Sequence, residues 1–318
     1  MRSTVMRELD RTIAAVAPKD VGISLIGESG SGKEVLARHI HQLSARRAGP
    51  FIAINCAAVP ESLFESELFG HEKGSFTGAS ERIRGKIEPA HGGTLLLDEV
   101  GDVSLAAQGK LLRFLENQKF MRVGGSEKIS VDVRIICATP RPLEEEVRAG
   151  RFRSDLFYRL QGIALRVPPL RERQADLEPL IEQFTAEMAA KHDVPRARLT
   201  HPARVALRRY GWPGNIRELR NVLERVSVLR AGQAVRARDL PEALWAAAST
   251  ENTGAGESGA ITVPLDEPLA NAVARILDAA LTLEQGNRTR AAARLGISTR
   301  TLQRHVARGP RLTHRAHS

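Results

Sequence analysis

Cysteine, metal-binding patterns of histidine and long apolar runs are scarce or absent in this sequence. The two cysteines, Cys56 and Cys137, lie far apart in apolar stretches and indicate buried thiols in a reducing cytoplasm. The nine histidines show no ligand spacing, which argues against a metal site built from protein ligands alone. No apolar run approaches the length of a membrane span, and the first residues lack the apolar centre of a signal peptide. We therefore expect a cytoplasmic protein with no membrane partner.

Acidic residues are missing from the C-terminal part of the chain. Residues 287–318 contain eight arginines and no aspartate or glutamate, in a chain whose formal net charge is +10. A charge run is usually a solvated surface, but a run of one sign on a helical pattern favours nucleic acid as the partner. With 318 residues, 42% of them hydrophobic, the chain can form two or three globular domains.

The most informative segment is the glycine-rich stretch Gly27-Glu28-Ser29-Gly30-Ser31-Gly32-Lys33. It follows the apolar run 23–26 and precedes a helical pattern, which is the strand–loop–helix context of a phosphate-binding P-loop. Glycines let backbone amides turn inward towards phosphate oxygens, the helix N-terminus adds partial positive charge, and Lys33 can reach the outer phosphates. Glu34 stands where a serine or threonine commonly ligates magnesium. A glycine-rich turn that binds nothing is the alternative.

A second motif supports the nucleotide interpretation. Residues Thr94–Leu97 form an apolar strand that ends in Asp98 and Glu99. In a P-loop enzyme such a strand lies beside the P-loop strand, and its terminal acid holds magnesium. Asp98 suits that role, and Glu99 is placed to orient and deprotonate the attacking water. A buried strand with a solvated acidic end does not explain why both motifs occur in one chain in the usual order.

Strand and helix patterns divide the chain into segments. Their alternation over residues 1–167 predicts an α/β domain with a parallel sheet and helices on both faces. Val167-Pro168-Pro169-Leu170 breaks the pattern, and residues 168–245 form a smaller, helical pattern. Residues 246–264 are small, polar and glycine-bearing, as in a flexible linker. The predicted strands are Gly22–Ile26, Phe51–Asn55, Thr94–Leu97 and Val133–Cys137, with helices such as Glu34–Leu43 and Leu105–Asn117 between them.

The segment 265–308 has the size of an all-α helix-turn-helix domain. A helix over Leu269–Leu283 precedes two short helices joined by Gly296-Ile297-Ser298, where Gly296 permits the turn and Ser298 can cap the last helix. That helix could enter a major groove of double-stranded DNA. A helical hairpin used for oligomerisation is the alternative. The predicted DNA-binding residues are Arg288, Arg290, Thr299, Arg300, Gln303 and Arg304, and residues 309–318 are a basic tail.

These motifs together resemble those of the sigma-54-dependent transcriptional activators, also called bacterial enhancer-binding proteins, of the AAA+ ATPase superfamily. The resemblance covers nearly the whole chain, from about Val5 to Ala307. Gly27–Glu34 is similar to the family's P-loop, including the glutamate after the lysine. Further similar segments are Glu67–Ala79, Gly85–Val100 and Trp212–Leu219, while Gly286–Ala292 with Leu295-Gly296-Ile297 is similar to a Fis-type DNA-binding domain.

The resemblance implies a function and a set of roles. The chain would bind upstream DNA and assemble into a homo-oligomeric ring, specifically a hexamer. It would use ATP and Mg2+, and it would couple ATP hydrolysis to promoter opening by the sigma-54 RNA polymerase holoenzyme. The implied nucleotide-binding residues are Gly27, Glu28, Ser29, Gly30, Ser31, Gly32, Lys33, Glu34, Asp98 and Arg217, with Asp98 as the metal residue. The implied catalytic residues are Glu99, Asn55 as its switch, and Arg153 and Arg159 as fingers that reach a neighbouring subunit. The implied sigma-54 contact is the loop Gly74, Ser75, Phe76, Thr77, Gly78 and Ala79.

The sequence departs from the family pattern at two positions. Ser75 replaces an alanine of the sigma-54 loop, a small change that keeps Phe76 and Thr77. Pro140 stands after the first sensor strand, where a polar residue is expected, and proline offers neither a side-chain hydrogen bond nor an N–H. Pro140 motivates an alternative function, a DNA-binding regulator with impaired ATPase that acts independently of sigma-54. A remodelling ATPase of another AAA+ type is a second alternative.

Two of the implied roles also have structural alternatives. The finger arginines could form a solvated basic helix face, and Phe76 could fold back onto the core. The chain begins almost at the ATPase domain, whereas family members commonly carry an N-terminal receiver or ligand-sensing domain. Either a separate regulatory protein controls this chain or the sequence is a fragment.

Overall fold

The fold is given by a computed structural model that describes residues 3–76, 78–249, 269–284 and 286–307. The chain divides into two compact units, residues 1–248 and 249–318. Several predicted features lie outside the described residues. They are most of the linker 246–264, the tail 309–318, Thr77 and the side chain of Arg304.

The first unit is built from alternating strands and helices, followed by a helical part. Its helices are α1 (Thr4–Val16), α2 (Lys33–Gln42), α3 (Glu61–Phe69), α4 (Leu105–Asn117), α5 (Leu143–Arg148), α6 (Ser154–Leu160), α7 (Leu177–His192), α8 (His201–Arg209), α9 (Asn215–Leu229) and α10 (Glu242–Ser249). Its strands are β1 (Ile23–Ile26), β2 (Phe51–Asn55), β3 (Gly70–His71), β4 (Ile83–Arg84), β5 (Thr94–Asp98), β6 (Lys119–Phe120), β7 (Ile129–Ser130), β8 (Arg134–Thr139), β9 (Ile163–Arg166), β10 (Arg198–Leu199) and β11 (Ala234–Val235).

Five strands form a parallel sheet in the order β2-β5-β8-β1-β9. This arrangement confirms the predicted P-loop α/β fold. Because the strands are parallel, their carboxyl ends meet at one edge, where Asn55 lies opposite Asp98 and Ile26 lies opposite Thr139. The sequence analysis did not identify β9, a short edge strand in which Leu165 alone is fully buried.

The sheet packs a hydrophobic core against each of its faces. Neighbouring residues of β5 alternate between the two cores, since Leu95 and Leu97 pack with Phe114, whereas Leu96 packs with Ile40. A strand covered on both faces should read as a continuous apolar run, and β5 does. The layers of helix, sheet and helix hold the sheet edge in a fixed position.

The remainder of the first unit is a helical lid around α7, α8 and α9. Its core is centred on Trp212, whose indole N–H donates to the carbonyl of Leu207 at 2.9 Å. The strands β10 and β11 add a two-stranded parallel pair at its margin. The first turn of α9 lies against the P-loop, because the Ile216 amide donates to the Gly30 carbonyl at 3.0 Å.

The second unit consists of α11 (Leu269–Leu283), α12 (Arg288–Arg294) and α13 (Thr299–Ala307) in its described residues. A small core of Leu277, Ala280, Ala291, Ala292 and Leu302 holds the three helices together. Gly286 and Gly296 have φ values of +82° and +66°, so both turns between helices use a left-handed backbone that favours glycine. The predicted helix-turn-helix fold is confirmed.

Two glycines of the first unit predict opposite effects of the same substitution. A Cβ on Gly93 would lie 2.0 Å from the carbonyl oxygen of Pro50, a backbone atom that cannot move aside. Gly93→Ala should therefore lower the free energy of unfolding by about 1–3 kcal/mol. Gly109 lies within α4 and has nothing within 4 Å of an added Cβ. Gly109→Ala should raise it by about 0.5–1 kcal/mol, since alanine favours a helix interior.

Urea denaturation of the full chain, followed by circular dichroism, measures both changes against the unsubstituted protein. A Gly93→Ala protein as stable as the Gly109→Ala protein would show that the close approach of residues 50 and 93 is wrong.

Candidate functional site

The glycine-rich loop lies at the carboxyl edge of the sheet, between β1 and α2. Gly30 and Gly32 have φ values of +73° and +100°, which are left-handed conformations that side chains with a Cβ rarely adopt. The Gly27 amide donates to the Thr139 carbonyl at 3.2 Å, so the start of the loop is fixed to the end of β8. The loop therefore curls over the N-terminus of α2, which suits an anionic ligand.

Lys33 extends its side chain back over this loop. Its ammonium donates to the carbonyls of Gly27 at 2.8 Å and Glu28 at 3.1 Å, and the residue is buried. Burial lowers the pKa of Lys33, while the nearby charges of Asp98 and Glu99 act in the opposite direction. A cation held in a dry, glycine-lined loop is suited to contact phosphate oxygens.

The two acidic residues of the second motif lie at the same sheet edge as the P-loop. The predicted direct adjacency of their strand to the P-loop strand is wrong, because β8 lies between β5 and β1 and pairs with both. Burial raises the pKa of Asp98, and the charge of Lys33 opposes that shift. Its Oδ1 accepts the Glu99 amide at 3.0 Å. Glu99 has a φ of +56°, an uncommon left-handed conformation for a residue with a side chain. The backbone thus turns sharply between Asp98 and Glu99, where the strand ends.

Asn55 is brought to this edge but does not hold Glu99 by any hydrogen bond that the structure describes. Its side-chain oxygen accepts the amides of Ala57 at 3.0 Å and Ala58 at 3.1 Å. Its backbone lies opposite Asp98 in the β2–β5 register. The side chain is therefore engaged in the turn that follows its own strand.

The lid supplies further contacts to the P-loop. Arg217 donates to the Ser29 hydroxyl at 3.0 Å. The Asn215 side chain donates to the Ser29 carbonyl at 3.1 Å. A Cβ on Gly30 would lie 2.4 Å from the Gly214 carbonyl oxygen, so glycine permits this close approach. The sequence analysis predicted Arg217 and missed Asn215, although both lie in the segment Trp212–Leu219 that it had singled out.

Arg153 and Arg159 lie on or beside α6 and are exposed. The guanidinium of Arg153 pairs with Asp155 at 2.7 Å. That of Arg159 donates to the Leu115 carbonyl at 2.8 Å, near the end of α4. Among the contacts of the described residues, neither arginine reaches its own P-loop. The structure therefore does not bring these two predicted residues together with Lys33.

Pro140 follows the end of β8, where the family pattern has a polar side chain, so the neighbouring polar group on this strand is Thr139. Pro140 is exposed, while Thr139 is fully buried. The Thr139 hydroxyl accepts the Arg141 amide at 3.0 Å. The polar side chain nearest to Pro140 on this strand is thus already engaged in the local turn.

The loop predicted to contact sigma-54 is closed at its base. The Gly74 amide donates to the Ala79 carbonyl at 2.8 Å, and the Ala79 amide donates to the Phe76 carbonyl at 3.0 Å. The Phe76 ring lies 4.9 Å from the buried His71 ring, in an edge-on contact, yet the residue keeps 39% of its surface exposed. Phe76 therefore packs partly onto the domain and partly faces outward.

A basic face is present in the second unit. Asn287 caps α12 by accepting the Arg290 amide at 3.1 Å. Ser298 caps α13 by accepting the Thr301 amide at 3.1 Å, as the sequence predicted. Five of the six predicted DNA-binding residues have exposed side chains, namely Arg288, Arg290, Thr299, Arg300 and Gln303.

Comparison with known proteins agrees with this geometry over most of the chain. Residues 1–166 match the sigma-54 interaction domain, residues 171–257 match the AAA+ ATPase lid domain, and residues 274–308 match the Fis family of bacterial regulatory proteins. The transcriptional regulatory protein ZraR of Klebsiella oxytoca is 45% identical over 96% of this chain and 68% of its own length. The transcriptional regulator NtrC of Azospirillum brasilense is 41% identical over 96% of this chain and 68% of its own length.

A solved structure shows the same architecture. The crystal structure of NtrX from Brucella abortus in complex with ATP has a TM-score of 0.71 and 37% identity, over 96% of this chain and 68% of that one. A crystal structure of the same protein in complex with ADP is similar at 36% identity.

The sheet, the P-loop and the lid define an AAA+ ATPase. The chain belongs to the sigma-54-dependent transcriptional activators, which combine that ATPase with a Fis-type DNA-binding domain. The predicted family is confirmed, and the comparisons give no support to a regulator that acts independently of sigma-54. Over the part of the chain that the structure describes, no helix has the length and apolarity needed to cross a bilayer.

Proposed function

We propose that this activator forms a hexameric ring and hydrolyses ATP at sites shared between adjacent subunits. The supporting observation is the separation of the two halves of the site within one chain. Lys33, Asp98 and Glu99 lie at one sheet edge. Arg153 and Arg159 are exposed, and their described hydrogen bonds go to Asp155 and to the Leu115 carbonyl rather than to the P-loop. An arginine that a neighbour supplies makes hydrolysis depend on assembly.

Within one subunit, the P-loop amides and Lys33 would bind the β- and γ-phosphates, and Arg217 would contact the nucleotide from the lid. Glu99 would accept a proton from the attacking water, with Asn55 as the residue that restrains it until the nucleotide is sensed. Positioning and charge stabilisation supply most of the catalysis in phosphoryl transfer, so these side chains act mainly by where they are held. The proposed nucleotide-binding set is Gly27, Glu28, Ser29, Gly30, Ser31, Gly32, Lys33, Glu34, Asp98 and Arg217.

The donor set at the sheet edge fits Mg2+, which prefers carboxylate oxygens. Asp98 is half-buried and accepts a backbone amide on Oδ1 only, among its described hydrogen bonds. Burial raises the pKa of Asp98 while the charge of Lys33 opposes that shift, and a bound cation would likewise stabilise the ionised carboxylate. Mg2+ bound by Asp98 would neutralise charge on the β- and γ-phosphates.

The outward parts of the molecule would meet the two macromolecular partners. The loop Gly74–Ala79 would contact sigma-54, with Phe76 and Thr77 at its tip, and its movement during ATP turnover would remodel the polymerase. The exposed side chains of α12 and α13 would bind upstream double-stranded DNA, with Arg304 extending the set. Because the polymerase and its promoters are cytoplasmic, the protein would act there. A separate regulatory protein could control its assembly.

The proposed domain limits follow from these roles. Residues 1–167 would form the nucleotide-binding part, 168–245 the lid, 246–264 a linker, 265–308 the DNA-binding domain and 309–318 a basic tail. The linker would allow the DNA-binding domain and the ring to engage different sites on DNA.

Substitution of Glu99 tests the catalytic assignment. Glu99→Gln should retain ATP binding and lose turnover by about 100-fold or more, because a general base contributes about 10²–10⁴ to the rate. Glu144→Gln, which alters an exposed carboxylate on α5, is the matched control and should hydrolyse normally. Binding is measured with a fluorescent ATP analogue and turnover by phosphate release at a protein concentration that favours assembly. A Glu99→Gln protein with normal turnover would contradict the assigned role.

Mixing two inactive variants tests whether the site is shared. Lys33→Ala removes phosphate binding but keeps the finger arginines, whereas Arg159→Ala removes a finger but keeps the P-loop. Each protein alone should hydrolyse ATP at least ~1000-fold more slowly. An equimolar mixture should regain substantial activity, because some interfaces combine an intact P-loop with an intact finger.

The control for this mixture combines Lys33→Ala with Glu99→Gln, since both variants damage the same half of the site and should stay inactive together. A mixture of Lys33→Ala and Arg159→Ala that also stays inactive would argue that Arg159 does not act across an interface.

A further inference from the structure

Glu28 is a negatively charged residue inside a loop that is expected to bind phosphate. Its carboxylate accepts two hydrogen bonds from the guanidinium of Arg171, at 2.8 and 2.5 Å. It also accepts a hydrogen bond from the side-chain amide of Asn215 at 3.1 Å. One carboxylate of the P-loop thus contacts both the segment that leads into the lid and the first residue of α9.

Asn215 extends these contacts to the backbone. Its side-chain oxygen accepts the Leu170 amide at 2.8 Å, and its side-chain nitrogen donates to the Ser29 carbonyl at 3.1 Å. The residue is fully buried and has a φ of +53°. A buried amide with both ends engaged fixes the groups around it, since leaving either end unpaired is costly.

The hydrogen bonds to Arg171 and then to Asn215 lower the pKa of Glu28 to about 2. The carboxylate is therefore ionised at neutral pH. The lowered pKa means that the contact stabilises the fold fully above pH ~4.5 and is lost as the pH falls towards ~2. A free carboxylate would repel bound phosphates, whereas one paired with Arg171 is turned towards the lid and largely neutralised.

We propose that Glu28 is a positioning residue that holds the first turn of α9 against the P-loop and so sets the place of Arg217. The inference rests on the proposed contact of Arg217 with nucleotide. Arg217 follows Asn215 by two residues, and the Ile216 amide between them donates to the Gly30 carbonyl at 3.0 Å. Displacement of Asn215 would therefore move the arginine as well. The Glu28 side chain acts on the nucleotide through the lid, while the Glu28 backbone remains part of the proposed P-loop binding set.

Hydrogen exchange in the nucleotide-free full chain tests the contact itself. Glu28→Ala should speed exchange of the Ile216 amide, which donates to the Gly30 carbonyl, by about tenfold, because hydrogen bonds to a charged acceptor are lost beside it. Glu28→Gln keeps an acceptor for the Asn215 side chain, so it should speed exchange of the same amide only about threefold. The Val226 amide, deeper in α9, should be unchanged in both proteins. Unchanged exchange at residue 216 in Glu28→Ala would overturn the proposal.

The route of the effect is tested with nucleotide. In the otherwise unsubstituted protein, Glu28→Ala should weaken binding of a fluorescent ADP analogue about tenfold. In a protein that already carries Arg217→Ala, adding Glu28→Ala should leave the affinity unchanged. Additive losses in the double variant would overturn the proposal by showing direct action of Glu28 on nucleotide. Glu172→Gln breaks the exposed pair with Arg166 at 2.8 Å on the same segment and should leave affinity unchanged.

The two measurements separate this proposal from the proposed function. Faster exchange at residue 216 with no change in ADP affinity would support the contact and refute the nucleotide role of Arg217. Unchanged exchange with normal ATP turnover would refute the contact and leave the proposed function intact.

Discussion

The register of the parallel sheet is the constraint on which the rest of this protein depends. It aligns Asp98 with Asn55 on one side and with Ala138 on the other, and it aligns Ile26 with Thr139. These pairings bring the ends of four strands to one edge, where the P-loop begins. A slip of one residue would turn each side chain to the opposite face, so the apolar cores on both faces fix the site as well as the fold.

The proposed ATPase site is divided among three parts. We propose that the sheet edge supplies Lys33 and the two carboxylates, that the lid supplies Arg217, and that a neighbouring subunit supplies the finger arginines. Asn215 and Glu28 connect the first two of these parts through buried or charge-assisted hydrogen bonds. A division of this kind lets nucleotide binding, lid position and assembly influence one another, since each completes the surroundings of the same phosphates.

The sequence predicted the features that have local signals. The P-loop, the strand that ends in Asp98 and the helix-turn-helix each have a continuous pattern of glycines, apolar residues or caps, and each lies where that pattern indicated. The contact of Glu28 with Asn215 could not be predicted, because it joins side chains of residues 187 positions apart and no local sequence pattern links them. Strand β9 was missed because it has only four residues and a single buried side chain, so its apolar run is too short to indicate a strand by itself. The left-handed backbone conformation at Glu99 was likewise not predicted, because no glycine stands at that position to indicate it.

The most direct test of the account measures promoter melting and ATP turnover in the same sample. Sigma-54 polymerase on a promoter with a fluorescent base in the melted region is mixed with the full chain, and phosphate release is followed in parallel. The account predicts melting that requires ATP, and a Thr77→Ala protein that hydrolyses ATP at a similar rate but melts the promoter at least ~10-fold less. Full ATP turnover by the unsubstituted protein without melting, or equal melting by Thr77→Ala, would contradict the claim that the 74–79 loop transmits hydrolysis to sigma-54.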